Sequence, residues 1–248
     1  MGIYKEYIKD KNLVERLEQL QKKKESLKEL LDDTKEVEPY VVELAGLPRT
    51  GKSITVERLT DFFKFGKINV VRTTEPAQLV KDSHTPEELE KMTKLDFNNE
   101  TLRISRSELS RLKSNPANTV ILQDRGVIDN YFWYQMMYED GTLNDAQFKD
   151  IIKSLPIDLK TMDKLYVMIS DPHEIIKRDY LNAIYLEPRK KTTIEGVTKL
   201  KNGMEQVLSN VQDERIVRLD TTSITDIDTS IIIADDIMDG MFQKIYQR

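Results

Sequence analysis

The sequence predicts a three-layer α/β fold, in which helices cover both faces of a five-stranded parallel sheet and a further helix precedes the sheet. Two observations support this fold class. Short β-rich runs alternate with longer segments of helical period, and such alternation indicates right-handed crossovers between parallel strands. The first 39 residues also differ in composition from the rest of the chain. The five runs are Tyr40–Ala45, Ile68–Thr74, Thr119–Gln123, Lys164–Ser170 and Arg215–Leu219.

Residues 1–39 are rich in Lys and Glu and are predicted to form a helical arm, separate from a domain spanning residues 40–248. Leucines at positions 13, 17, 20, 27 and 31 recur at steps of three, four and seven, which places them on one face of a helix. We expect this face to pack on the chain's own domain. A dimerising coiled coil, and with it a homodimer, is the alternative, but the apolar seam is short and Lys24 interrupts it.

Several of the predicted helices carry explicit start signals. Thr85-Pro86-Glu87-Glu88 combines an N-cap residue, a proline at the first helical position and a capping-box glutamate. Asp171-Pro172-His173-Glu174 repeats this arrangement directly after the fourth strand. A last apolar helix, at about residues 229–247, is expected to cover one face of the sheet.

Composition narrows the chemistry. The 248 residues include no cysteine and two histidines, which excludes disulfides and thiolate chemistry and makes a multi-histidine metal site unexpected. The net charge of −5 shows no overall excess of basic residues of the kind that binds nucleic acid. No apolar run approaches the roughly 18 residues of a membrane span, and the first residues lack the apolar core of a signal peptide. We therefore expect a cytoplasmic protein without a membrane partner.

A phosphate-binding motif follows the first strand, because Gly46-Leu47-Pro48-Arg49-Thr50-Gly51-Lys52-Ser53 matches G-x-x-x-x-G-K-[ST]. The glycines let backbone N–H groups turn toward phosphate oxygens, and the following helix directs its positive dipole end at the same anion. We expect Lys52 to reach the β- and γ-phosphates and Ser53 to bind Mg²⁺. The residues expected to contact ATP in this part of the chain are Gly46, Pro48, Arg49, Thr50, Gly51, Lys52, Ser53 and Thr55.

Acidic residues stand at the ends of two further strands. Asp124 closes the third strand, where a carboxylate linked to Mg²⁺ belongs, and Arg125 follows it with a guanidinium that binds two phosphate oxygens. Glu75 ends the second strand, before Pro76. A carboxylate there would accept a hydroxyl proton from an acceptor or hold the acceptor's sugar or base.

These motifs together resemble the nucleoside and nucleotide kinases, and among them the thymidylate and deoxynucleoside kinases. The resemblance covers roughly residues 40–219 and implies a P-loop NTPase fold. Thymidylate kinases carry R-E-P and D-R at the corresponding strand ends, whereas deoxynucleoside kinases carry E-P, whose glutamate is the catalytic base, and E-R. Glu75-Pro76 and Asp124-Arg125 satisfy both patterns. The chain departs from both families at Ala45, where they place an acid directly before the first glycine of the loop.

The resemblance also implies acceptor-binding residues. Thymidylate kinases hold the substrate phosphate with an arginine on the helix before the D-R pair; Arg103 falls at that spacing and Arg106 lies one turn further on. Asp129 lies near the position at which deoxynucleoside kinases hold the base or sugar. Tyr131 belongs to an aromatic run, residues 128–138, from which a ring would stack on an acceptor base, although we expect most of that run in the core.

A basic segment after the fourth strand resembles the arginine-bearing lid of these kinases. Such a lid excludes water and adds positive charge over the donor phosphates. We expect it at about residues 177–201, with Arg178 as a catalytic residue and Arg189 as a donor-binding residue. The alternative is a solvated helix–loop–helix.

The sequence thus predicts transfer of the γ-phosphoryl group of ATP, with Mg²⁺, to a small acceptor, foremost a nucleoside or a nucleoside monophosphate. One alternative is a P-loop kinase of a sugar, an antibiotic or a polynucleotide end. The other is a regulatory NTPase that binds a partner through its N-terminal helix. The sequence does not choose between nucleoside and monophosphate, between bases, or between ATP and GTP. The expected catalytic residues are Lys52, Glu75, Asp124, Arg125 and Arg178.

Overall fold

The computed structural model describes residues 11–34, 37–181, 192–209 and 211–247. Its strands are β1 (Tyr40–Gly46), β2 (Val70–Arg72), β3 (Val120–Asp124), β4 (Lys164–Ile169) and β5 (Ile216–Asp220). Its helices are α1 (Lys11–Asp33), α2 (Lys52–Phe65), α3 (Pro76–Ser83), α4 (Pro86–Lys91), α5 (Lys94–Lys113), α6 (Asp129–Glu139), α7 (Asp145–Ile152), α8 (Leu155–Leu159), α9 (Pro172–Leu181), α10 (Ile194–Ser209) and α11 (Asp226–Tyr246).

The five strands form one sheet in the order β2-β3-β1-β4-β5, and every neighbouring pair is parallel. This confirms the predicted five-stranded parallel sheet. The main difference is β2, which is shorter than the run that predicts it. From central β1 the chain builds β2 and β3 on one side and then β4 and β5 on the other. In such sheets ligands bind beside the carboxyl ends of the strands, where the strand order reverses.

Two hydrophobic cores lie on opposite faces of the sheet, because successive side chains of a strand point to opposite sides. Val41 and Ala45 of β1 contribute to the first core, together with residues of α5, α6, α9 and α10. Val42 and Leu44 of β1 contribute to the second core, together with residues of α1, α2 and α11. The described chain therefore has helices on both faces of its sheet, as a three-layer fold requires.

The N-terminal helix α1 packs on the chain's own second core, the first of the two arrangements that its sequence allowed. Leu20 and Leu27 are buried there, and the remaining leucines of the seam pack against it partly buried. Lys24, which interrupts the apolar seam, is itself buried within this packing. Its stem lies against Gly66, and its ammonium group donates a 3.1 Å hydrogen bond to the carbonyl of Phe62 near the end of α2. A long aliphatic stem buries readily when its charged end finds such an acceptor.

The helix start signals also hold. The hydroxyl of Thr85 and the carboxylate of Glu88 form the predicted capping box at α4. Asp171 accepts hydrogen bonds from the N–H groups of His173 and Glu174 at the start of α9. Within the described ranges, none of the helices combines the length and the apolar character that a membrane span requires.

Candidate active site

The loop of residues 46–53 joins β1 to α2 at the carboxyl edge of the sheet. Gly46, Arg49 and Gly51 have φ angles of 124°, 57° and 90°, so the backbone turns repeatedly through the left-handed region. Only glycine fits at position 46, since a Cβ atom there would lie 2.2 Å from the carbonyl oxygen of Met168 on β4. Gly51 caps α2 without a side-chain hydrogen bond. The first N–H groups of α2 therefore remain available to an anion.

Lys52 is folded back over this loop. The side chain is 5% exposed, and its ammonium group donates to the carbonyl of Gly46 at 3.1 Å, to the carbonyl of Leu47 and to the hydroxyl of Thr50 at 3.2 Å. Burial, with the nearby charge of Arg125, lowers the pKa of Lys52 to about 7. A cation held by neutral carbonyls in a buried loop is strongly attracted to an anion that reaches it.

Arg125 lies between two carboxylates. Its guanidinium contacts Asp129 at 2.7 Å and Glu75 at 3.2 Å, which joins the end of β2 to the start of α6. Burial opposes this charge, but the carboxylates of Asp129, Glu75 and Asp124 together raise the pKa of Arg125. The three strand-end residues that the sequence selected, Glu75, Asp124 and Arg125, are thus brought together.

Asp129 connects Arg125 to the 46–53 loop. Its buried carboxylate accepts the N–H of Gly46 at 2.9 Å as well as the guanidinium of Arg125, and also the indole N–H of Trp133 at 3.3 Å. One side chain thus fixes the beginning of the loop relative to the arginine. The sequence selected Asp129 as an acceptor-binding residue, and the structure gives it this positioning contact in addition.

Glu43 is a site residue that the sequence reasoning missed. Its carboxylate is fully buried and accepts the N–H groups of Gly126, Ile128 and Asp129 at 3.0, 3.0 and 2.8 Å. Burial raises the pKa of Glu43 to about 7, although these hydrogen bonds oppose the change. Position 126 is glycine because a Cβ atom there would lie 2.8 Å from the carboxylate. The signal was a single acid within the otherwise apolar strand β1.

Ser53 and Asp124 are the residues that would hold a magnesium ion. Asp124 ends β3 close enough to raise the pKa values of Lys52 and Arg125 through its charge. A hydroxyl and a carboxylate are the hard oxygen ligands that Mg²⁺ prefers, and this ion usually takes only one or two protein ligands beside substrate phosphates. The donor set fits that pattern. Among the residues described, no group of three or more acidic or histidine side chains is arranged so that it could hold a metal ion by itself.

A cavity of about 750 Å³ opens beside Arg125, between α3, α5 and α6. Asp129, Trp133, Met136 and Asp140 line it at helical spacing, so the cavity follows one face of α6 for about 16 Å. Its inner end is formed by Glu75, Arg125 and Asp129, and its middle is largely apolar. This inner end is joined to the 46–53 loop through Asp129, which accepts the N–H of Gly46.

The two arginines proposed to hold an acceptor phosphate do not face this cavity. Arg103 is 66% exposed and pairs with Glu100 on its own helix. It stands two residues after Thr101, which lines the cavity, and two residues turn a helix by about 200°. Arg106 binds the nearly buried carboxylate of Asp158 on α8, at 2.6 Å. This ion pair keeps Arg106 behind the cavity wall.

Tyr131 is likewise not available to an acceptor. The ring is fully buried in the first core, and its hydroxyl donates to Asp158 at 2.5 Å. Trp133, 40% exposed, is the aromatic residue of α6 that lines the cavity. Asp129 lies on the face of α6 that is turned toward the cavity. Tyr131 follows two positions later and therefore lies on the opposite face of the helix.

The remaining predicted residues lie on the far side of the 46–53 loop. Arg178 on α9 donates to the carbonyls of Arg49, Thr221 and Thr222 at 3.4, 2.7 and 3.2 Å, and Arg49 pairs with Asp179 at 2.6 Å. These contacts attach α9 to the loop. Arg178 therefore bridges the loop and the residues after β5 and does not point at Arg125.

Three further predictions concern the donor side. Thr55 is fully buried within α2, which removes its hydroxyl from the surface of the loop. Pro48 is half-buried on the outside of the loop. Arg189, and residues 182–191 of the predicted lid, lie outside the described residues.

The sequence matches no family model and no curated protein in comparisons with known proteins.

Proposed function

We propose that the protein is a P-loop kinase, which transfers the γ-phosphoryl group of ATP to a small acceptor bound in the cavity, a nucleoside or a nucleoside monophosphate first among the candidates. The observation that carries the proposal is the shared carboxylate of Asp129. It binds the N–H of Gly46 in the 46–53 loop and the guanidinium of Arg125 at the inner end of the cavity. Phosphoryl transfer depends mainly on such positioning of donor and acceptor.

The donor side suits a triphosphate. The backbone of the loop and the first turn of α2 offer N–H groups, and Lys52 offers a buried positive charge held only by neutral groups. A phosphate oxygen is a better partner for that ammonium group than a carbonyl. Ser53 and Asp124 would hold Mg²⁺, which would neutralise charge on the phosphates when it is bound.

The inner end of the cavity suits the reacting group of an acceptor, which must be held close to the 46–53 loop. Glu75 stands three residues after the end of β2 and lines the cavity with Arg125. The carboxylate is positioned to accept a proton or a hydrogen bond from a hydroxyl, and the guanidinium to stabilise negative charge on a transferring phosphoryl group.

A coupled assay for ADP release tests this function. Nucleosides, nucleoside monophosphates, sugars and aminoglycosides would each be offered with ATP and Mg²⁺, and the phosphorylated product identified by mass. We expect Lys52→Ala to lower turnover by about 10³-fold, because the variant loses the charge that stabilises the transferring group. Lys64→Ala is the matched control, since Lys64 is exposed at the far end of the same helix.

Thermal unfolding of both variants shows whether they remain folded. Full turnover in a folded Lys52→Ala variant would contradict the kinase proposal. ATP hydrolysis that no acceptor stimulates would favour a regulatory NTPase instead.

A further inference from the structure

The turn of residues 125–128 joins β3 to α6 and carries the guanidinium that contacts Glu75 and Asp129. Its first residue, Arg125, has a φ angle of 56°, in the left-handed region of the backbone. Residues with a Cβ atom are disfavoured in that region. Such strain persists only where the surrounding structure holds the backbone, and it is concentrated at functional sites.

Strand β1 holds this turn through two neighbouring residues. The carbonyl of Leu44 accepts the N–H of Arg125 at 3.0 Å. The carboxylate of Glu43 accepts the N–H groups of residues 126, 128 and 129. The strained residue is therefore fixed on its N-terminal side by a backbone bond and on its C-terminal side by the bonds of one buried side chain.

Glu43 also supplies the start of α6 with a cap. Ile128, the N-cap residue of this helix, makes no capping hydrogen bond with its side chain. The first N–H groups of a helix need an acceptor, and a carboxylate there is stabilised by the positive end of the helix dipole. Because Glu43 is fully buried, water does not compete for these bonds.

A second buried side chain, Gln123, lies beside the same turn. It is in register with Glu43 on the neighbouring strand β3. A Cβ atom at Gly126 would lie 2.8 Å from Oε2 of Glu43 and 2.9 Å from Cδ of Gln123. Oε1 of Gln123 is buried without a hydrogen-bond partner among the described residues. The turn thus rests on two side chains, of which Glu43 binds it through three hydrogen bonds.

We propose that Glu43 is a positioning residue for phosphoryl transfer, which acts through residues 126–129 to hold the guanidinium of Arg125 and the carboxylate of Asp129 in place. This inference rests on the proposed function and deepens it. Asp129 in turn binds the N–H of Gly46, so one carboxylate on β1 fixes the arginine relative to the 46–53 loop. A displacement of about 1 Å in such a group can lower a rate by about 10²-fold.

Glu43→Gln tests this role with little change of shape. Oε1 of Glu43 accepts two of the three N–H groups and Oε2 accepts the third. An amide offers one acceptor oxygen, so in either orientation at least one N–H group faces an NH₂ donor. In the full chain, with ATP and Mg²⁺ at about pH 8, we expect kcat to fall about 10²-fold, whereas the KM values for ATP and the acceptor change much less.

Val42→Ala is the matched control. Val42 is fully buried on the same strand, but its side chain packs into the opposite core. This variant should lose stability by thermal unfolding while its kcat stays at the wild-type value. A merely structural role of Glu43 would give the same result for Glu43→Gln, and that result would overturn the inference.

A double-mutant cycle with Arg125→Ala shows whether Glu43 acts through the arginine. Alanine keeps the left-handed backbone strain at this position and removes the guanidinium. In the Arg125→Ala background we expect Glu43→Gln to lower kcat by less than about threefold, because the group that it positions is already absent. A second loss as large as the first would overturn the inference.

The indole N–H of Trp133 provides a readout that does not depend on activity. The chain has one tryptophan, and its indole N–H donates to Asp129 at 3.3 Å. We expect the single indole signal in an NMR spectrum of ¹⁵N-labelled protein to move in Glu43→Gln and to stay in place in Val42→Ala. An unmoved signal in folded Glu43→Gln would overturn the inference.

Gly126→Ala keeps the test available if Glu43→Gln does not fold. The added methyl group meets Glu43 and Gln123 and leaves the charge of Glu43 unchanged. We expect the same fall in kcat and the same movement of the indole signal, and wild-type values of both would overturn the inference. Absence of ADP release from the wild-type chain with every acceptor would instead overturn the kinase proposal.

Discussion

The two faces of the sheet are built differently, although the same strands supply both. On the α2 face, β1 contributes Val42 and Leu44 to a core that α1 covers. On the α6 face, the same strand contributes Val41 and Ala45, but Glu43 stands between them as a buried carboxylate. The first face is built mainly by apolar packing, whereas the second combines packing with hydrogen bonds that position the site. Because side chains of β1 alternate between the two faces, the residues that stabilise the fold on one face are separate from the residue that positions the site on the other.

The 46–53 loop lies where the two faces meet. The N–H of Leu47, the next residue after β1, bonds to the carbonyl of Met168 at 3.0 Å, which fixes the loop to β4. The N–H of Gly46 bonds to Asp129 of the α6 face. Damage to the α2 face away from the first turn of α2 should thus lower stability without altering the site, and damage to the α6 face should alter the site first.

The largest expected effect on stability comes from the α2 face. Leu27→Ala in α1 removes a fully buried side chain, and deletions of this kind cost about 2–5 kcal/mol of unfolding free energy. Urea denaturation would measure this loss, with Leu13→Ala, at a partly buried position of the same helix, as the milder control.

The kcat of folded Leu27→Ala should stay at the wild-type value, since α1 does not line the cavity. An equal, small loss of stability in both leucine variants would show that α1 is not part of the core.

The sequence predicted backbone features well. Gly46–Ser53 is a contiguous motif, and the strand ends that carry Glu75 and Asp124 follow from alternation of apolar runs. It failed where a site depends on the rotation of a helix. Arg103 and Arg106 lie on the predicted helix, but a rotation of about 100° per residue decides which side chain reaches the cavity. Their partners, Glu100 and Asp158, are visible only in the folded chain.

The second prediction concerns the buried carboxylate of the α6 face. The pKa of Glu43 is about 7 in the folded chain, against 4.5 as the ordinary value, so between these pH values the folded state binds more protons than the unfolded state. Stability from this group is therefore present at low pH and is lost as the pH rises toward 7 and above. At about 1.4 kcal/mol per pKa unit, the loss amounts to about 3 kcal/mol.

Glu43→Gln should remove this pH dependence, because an amide does not titrate. Unfolding free energies measured from pH 4.5 to 7.5 would fall less steeply in the variant than in the wild-type protein. Parallel curves would mean that Glu43 does not titrate in this range, and that the α6 face resembles the α2 face more closely than its hydrogen bonds indicate.

The smallest expected effect is a difference in stability between variants of two arginines on α5. Arg106→Ala leaves the nearly buried carboxylate of Asp158 without its cation and removes a hydrogen bond to Tyr131, so we expect a loss of about 1–2 kcal/mol, moderated by the partial exposure of Arg106. Arg103→Ala removes an exposed pair with Glu100 that water screens, so we expect a clearly smaller loss of stability than for Arg106→Ala. Urea denaturation of the two variants would measure both differences.

The KM for the acceptor shows whether Arg103 and Arg106 have a structural role or bind the acceptor. Neither guanidinium faces the cavity, so the KM of folded Arg103→Ala should equal the wild-type value, and Arg106→Ala should change stability without a specific change in KM. If Arg103→Ala raised the acceptor KM, the arginine would reach the bound acceptor after all. In that case α5 would have to move when the acceptor binds. The residues that position the acceptor would then include Arg103 as well as the hydrogen-bonded carboxylates of Glu43 and Asp129.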